Sequence, residues 1–170
     1  MSTRAWILLG IAAAAAAVLL YSLTGAGSAA VGGIVGNVIS TIRGIRNNNP
    51  TNLEDAGIAW QGLIGVDGVY LKFDTLHNGL RAASLNLKNY ALLHGINTVD
   101  AAIRRWSSTD QDAYVTLVSS LLQVDPHESI DLTDAVTRQN FIRAMIIDED
   151  TRAGSLLISD DQIAQAVADG

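Results

Sequence analysis

The sequence predicts a mainly α protein: an N-terminal transmembrane helix followed by a small α domain with a short β-hairpin. Three observations predict it. Ala5 to Ile42 is 38 residues without a charge, and its first 19, Ala5 to Leu23, are almost purely apolar. From Leu76 onward, apolar residues return at the helical period in stretches that begin with capping residues. Only Ile58 to Phe73 shows the alternation of a strand around a turn. The reading divides the chain into a membrane anchor over 1–24, a small-residue and apolar helical connector over 25–42, and a soluble domain over 43–170.

Nineteen residues at ~1.5 Å each make a helix of roughly 28 Å, close to the ~30 Å hydrocarbon core of a bilayer. A helix suits lipid because it satisfies its own backbone N–H and C=O groups. Trp6 and Tyr21 fall at its ends, where amphipathic rings favour the interface. A cleaved signal peptide would also place Arg4 before an apolar run and small residues such as Gly27-Ser28-Ala29 after it. This run exceeds the ~7–15 residues of a signal core, so a retained single-pass anchor is expected. In the connector, Val31, Ile34, Val35, Val38, Ile39 and Ile42 recur at helical spacing, and Gly32 with Gly36 would let another helix approach closely. Association with a second copy or another protein is one reading of 25–42; a helix lying on headgroups is the other.

Composition excludes several functions. Setting aside Arg4, the chain carries 10 basic and 17 acidic side chains, a net charge of −7, which repels phosphate and argues against direct nucleic-acid binding. With no cysteine there are no disulfides, thiol chemistry or thiolate metal sites. His77, His94 and His127 lack metal-ligand spacing, and neither a Gly-rich phosphate loop nor a G-x-S-x-G nucleophile turn is present. No metal and no cofactor is expected.

Within 43–170, Val66-Asp67-Gly68-Val69 supplies the turn of a hairpin over Ile58 to Phe73. Leu76, Leu80, Ala83, Leu87, Tyr90 and Ala91 form the apolar stripe of a helix that Gly95 stops. Thr98 caps a short helix to Trp106, and Thr109 with Asp112 makes a capping box for a helix to about Gln123. Thr133 caps the run to Asp150, and Ser159 with Gln162 makes a second capping box.

The most distinctive string is Arg43-Gly44-Ile45-Arg46-Asn47-Asn48-Asn49-Pro50-Thr51-Asn52-Leu53. Its asparagines read first as turn chemistry, since they bond nearby backbone and tolerate left-handed conformations, and Pro50 steers its predecessor away from helix. With Trp60, Gly62, Phe73, Gly79-Leu80-Arg81-Ala82, Tyr90, Gly95-Ile96-Asn97-Thr98, Ile103, Arg105-Trp106 and Tyr114-Val115, the string resembles a phage and prophage domain that begins RGIRNNNPGN. Members are described as virion structural proteins of membrane-containing tailless phages, or as peptidoglycan-hydrolase-like proteins of the lysozyme and lytic transglycosylase kind. The resemblance runs from Arg43 to Glu149. Two departures stand out: Thr51 replaces a glycine, and Asp150-Thr151 replace the expected Asn-Gly after Glu149. Threonine takes positive φ at a cost, so a rebuilt turn is expected at Thr51.

Glycan cleavage needs a carboxylic acid that stays protonated long enough to donate to the leaving oxygen. The glutamates are Glu54, Glu128 and Glu149. Glu128 lies in a polar connector. Glu149 continues the stripe of Ile142, Met145 and Ile146, which places a carboxyl at the rim of an apolar face, and it is the candidate acid; Glu54, close to the Asn-rich string, is the alternative. The bland reading of Glu149 is a solvated helix end beside Asp148 and Asp150. Candidate sugar-binding residues are Asn47, Asn48, Asn49, Asn52, Trp60, Arg81 and Trp106; core packing is the other reading of the aromatics. The resemblance thus implies a membrane-anchored phage component, in the virion's internal membrane or the bacterial inner membrane, whose lysozyme-like domain binds and cleaves peptidoglycan during genome entry. A catalytically inactive structural or assembly protein of the virion membrane is the alternative. The implied partners are the lipid bilayer, peptidoglycan, and other virion proteins or a second copy through 25–42.

Overall fold

Helical periodicity and capping side chains build most of the domain. In chain order the described residues form α1 (Arg43–Arg46), β1 (Leu63–Asp67), β2 (Tyr70–Phe73), α2 (Leu76–His94), α3 (Val99–Trp106), α4 (Gln111–Leu122), α5 (Ala135–Glu149) and α6 (Asp160–Ala168). The computed structural model describes residues 42–149 and 156–170. The expected anchor over 1–24 and connector over 25–42 therefore lie outside the described residues, Ile42 excepted. Among the described residues no helix is long and apolar enough to cross a membrane.

α5 is the central helix, packed against α2, α4 and α6. Its Phe141, Ile142, Met145 and Ile146 are fully buried, and each such side chain contributes about 1.5–3 kcal/mol relative to exposure. Leu80 and Leu87 of α2, Ile103 of α3 and Ile163 of α6 complete the core. Arg138, on the same central helix, is a buried charge. It donates from Nη1 to the Leu132 and Thr133 carbonyls (3.1 and 2.6 Å) and from Nε to Ser84 Oγ (2.9 Å), which ties the turn before α5 to α2. Burial pushes its pKa below the ordinary arginine value.

Three helix boundaries follow the capping signals. Thr98 caps α3 through the Ala101 amide, Ser159 and Gln162 form a reciprocal capping box on α6, and Gly95 closes α2 at φ 65°. Two do not. The Thr109–Asp112 box is not formed, because Thr109 folds back on Ser107 and Asp112 holds Arg104 at 2.6 Å; Asp110 takes the cap position instead. Before α5 the cap is Asp134, whose carboxylate accepts from the Thr137 amide at 2.7 Å, while Thr133 is turned onto Asp131.

The hairpin is shorter than Ile58 to Phe73. β1 and β2 pair antiparallel with Val66 opposite Leu71 and Asp67 opposite Tyr70, with an irregularity between Leu63 and Gly65. A third segment completes this small sheet without being a regular strand. The amides of Phe73, Leu71 and Asp55 donate in turn to the carbonyls of Asn47, Leu53 and Val69, so 47–55 runs beside β2 and loops away around Pro50.

Candidate active site

The loop around Pro50 leaves a gap in that pairing, and asparagine side chains fill it. Fully buried Asn49 donates to the carbonyls of Leu53 (3.0 Å) and Leu71 (2.9 Å) and accepts from the Leu53 amide (2.9 Å). Asn48 donates to the Phe73 carbonyl at 3.0 Å, and Asn47 to the Asp67 carboxylate at 3.0 Å. Arg46 reaches the same carboxylate at 2.6 Å, and these two donors hold the Asp67 pKa below the usual carboxylate range. The left-handed residues of the loop are Asn48 (φ 51°) and Asn52 (φ 48°). Thr51 is not among them, so the threonine meets no conformational strain. Its carbonyl accepts from Trp106 Nε1 at 3.1 Å, which locks α3 onto the loop.

With its neighbours occupied, Asn52 turns outward to α5. Its Nδ2 donates to Glu149 Oε2 at 2.7 Å, and its Oδ1 accepts from Arg43 Nε at 3.3 Å. The Arg43 guanidinium carbon lies 3.7 Å from the centre of the Tyr70 ring. A chain of contacts therefore runs from Tyr70 through Arg43 and Asn52 to the carboxylate. Burial is the main influence on Glu149 and raises its pKa; Asp148 adds to the rise, while Asn52, the Tyr114 hydroxyl and Arg43 oppose it. Asp148 is raised as well, by burial and by Asp110. The position at the end of α5 acts in the same direction, since the last carbonyls of a helix disfavour a negative charge.

The other candidate residues lie apart from this pair. Trp60 lines a groove of about 400 Å³ together with Glu54, Tyr90, His94, Arg105 and Trp106. Trp106 itself is buried in the core. Arg81 is on the α2 face that meets the C-terminal residues, donating from Nε to the Asp169 carbonyl at 2.7 Å. The structure thus brings Asn52 to Glu149, assigns Asn47, Asn48 and Asn49 to the scaffold, and groups Glu54 with Trp60. Among the described residues no cluster of His, Asp and Glu has the makings of a metal site. Arg43 and Tyr114, which also bear on Glu149, stand in the distinctive string and in the aromatic set. No sequence spacing joins them to a carboxylate so far along the chain.

The chain is similar to a phage protein. Protein P5 of Pseudoalteromonas phage PM2 is 33% identical over 86 residues, a stretch covering 46% of this chain and 54% of the relative. The chain spans about half the length of that relative. No family model matches the chain.

Proposed function

We propose that this chain is a membrane-anchored component of a phage particle whose 43–170 domain binds peptidoglycan and cleaves its glycan strands, with Glu149 as the general acid. The observation that carries the reading is the Asn52–Glu149 pair: a carboxyl whose pKa burial raises, held at the end of a helix by the Asn52 amide at 2.7 Å, with the Tyr114 hydroxyl also bearing on it. A glycosidic leaving oxygen needs a proton donor, and a desolvated carboxyl keeps its proton nearer to neutral pH than a solvated one. The phage relative supports the particle, and the uncharged run from Ala5 to Ile42 supports the anchor. In this reading the bilayer is the virion's internal membrane or the bacterial inner membrane.

The alternative, a structural protein of the virion membrane that lacks the activity, is favoured by one observation. The amides of Asn47, Asn48 and Asn49 are engaged by the protein's own groups, so the most distinctive string serves the fold first. The test is release of soluble fragments from purified peptidoglycan by the full chain in detergent. Release that falls by about 10²–10⁴-fold in Glu149→Gln is expected. Equal release by the variant removes Glu149 from the chemistry, and no release by the natural sequence gives the structural reading the lead.

A further inference from the structure

Across the loop from Asn52, the groove of about 400 Å³ falls in the size range of small-molecule sites, roughly 300–1,000 Å³. It is lined by one arginine, Arg105, and two carboxylates, Glu54 and Asp55, with no ion pair between the arginine and either of them; Asp55 Oδ1 already accepts from the Gly57 amide at 2.8 Å. Arg46, Arg104 and Arg143 each grip an aspartate. Arg105, which lines the groove, has no ion pair among the described residues; its Nη2 donates to His94 Nε2 at 3.0 Å, and its guanidinium carbon lies 5.2 Å from the Tyr90 ring centre. Tyr90 is in turn set edge-on to Trp106 at 6.3 Å and to His94 at 6.5 Å. The guanidinium is thus positioned by two rings, His94 and Tyr90, neither of which offsets its charge, and it keeps further N–H donors beyond the one given to His94.

Glu54 lines the same groove. Its backbone is fixed by a bridge to Tyr70, and its carboxylate has neither a hydrogen bond nor an ion pair among the described residues. The rest of the lining mixes apolar side chains with the amides of Asn86 and Asn89: Trp60 is half-buried, while Ile58 and Leu93 are 44% and 71% exposed. Unpaired opposite charges in one groove, beside exposed apolar side chains, match a ligand that carries both a carboxylate and an ammonium group on a short aliphatic frame.

We infer that this groove binds the peptide portion of the cell-wall polymer, with Arg105 taking a carboxylate and Glu54 an ammonium group of a diamino acid. The inference rests on the peptidoglycan reading but not on Glu149, because the glycan and the peptide would occupy different places. It gives Glu54 a binding role and separates that residue from the acid chemistry.

The test is calorimetric titration of the full chain in detergent with a synthetic tripeptide, L-alanyl-γ-D-glutamyl-meso-diaminopimelate. The controls are the same tripeptide with its diaminopimelate carboxyls amidated, and a peptide-free chitin tetrasaccharide. Binding of the free tripeptide, weakened about tenfold or more by Arg105→Gln and by Glu54→Gln, is expected. Amidation should weaken binding to the natural sequence comparably and add little to the loss in Arg105→Gln. No binding, or unchanged binding in both variants, overturns the proposal. If either variant melts early, the amidated tripeptide on the natural sequence decides. Tripeptide binding retained by Glu149→Gln, with no lysis by any form, removes the catalytic reading alone; lysis without tripeptide binding removes this one alone.

Discussion

Glu149 and Asn52 carry the sharpest residue-level consequences. Because burial raises the folded-state pKa of Glu149, the fold disfavours the ionised carboxylate. Its contribution to stability is therefore whole in acid, below the usual carboxylate range, and is lost as pH rises through the elevated folded value. Glu149→Gln should melt higher than the natural sequence at pH 7–8, with the gap closing as pH is lowered into the acid range; thermal melts across pH check it. Asn52 sits at φ 48°, so glycine removes the amide without straining the backbone. Asn52→Gly should raise the Glu149 pKa further, read from the carboxyl carbon shift in an NMR titration, and an unchanged titration would mean that the amide does not hold the carboxylate. At this scale the sequence marks Glu149 through its place on the Ile142, Met145, Ile146 stripe. It does not reveal which of four asparagines meets it, since that choice depends on which amides β2 has already taken.

At the level of elements, the contact between the Asn-rich loop and α2 depends on what is missing from one residue. Gly79 is buried where a Cβ would collide with the Asn48 carbonyl, a backbone atom with little room to give. Helix propensity alone favours Gly79→Ala by about 1 kcal/mol, whereas the collision predicts a net loss of roughly 1–3 kcal/mol or more. A denaturant titration distinguishes the two by sign. Asn49 tests the other side of the loop. Asn49→Ala strands two carbonyls and an amide and should cost about 2–4 kcal/mol. Asn49→Asp keeps the shape but turns an oxygen toward the Leu53 and Leu71 carbonyls, so it should cost more. Helices α2, α3 and α6 are readable because local caps and periodicity agree. The starts of α4 and α5 are not: the Thr109 backbone is folded onto the Ser107 hydroxyl and Asp110 takes the cap position of α4, while before α5 the Thr133 hydroxyl is drawn to the Asp131 carboxylate.

For the whole molecule, the 38-residue uncharged run predicts that the full chain partitions with liposomes while a fragment from Arg43 stays in solution without detergent; full chain left in the aqueous phase would remove the anchor. The mainly helical architecture with one hairpin is legible because apolar periodicity survives in a single sequence. The groove beside Trp60 is not, because α2, α3 and the loop that line it meet only through long-range packing. Distance along the chain also sets an order in time. Asn49 closes its loop over four residues and reaches β2 over 22, but Asn52 and Glu149 are 97 residues apart. Closing long loops is entropically costly and pays back only when the distant partner docks. A chain leaving the ribosome can therefore complete its asparagine loop and hairpin while the carboxylate has yet to be made, so the two halves of the pair meet only after α5 has been synthesised and packed.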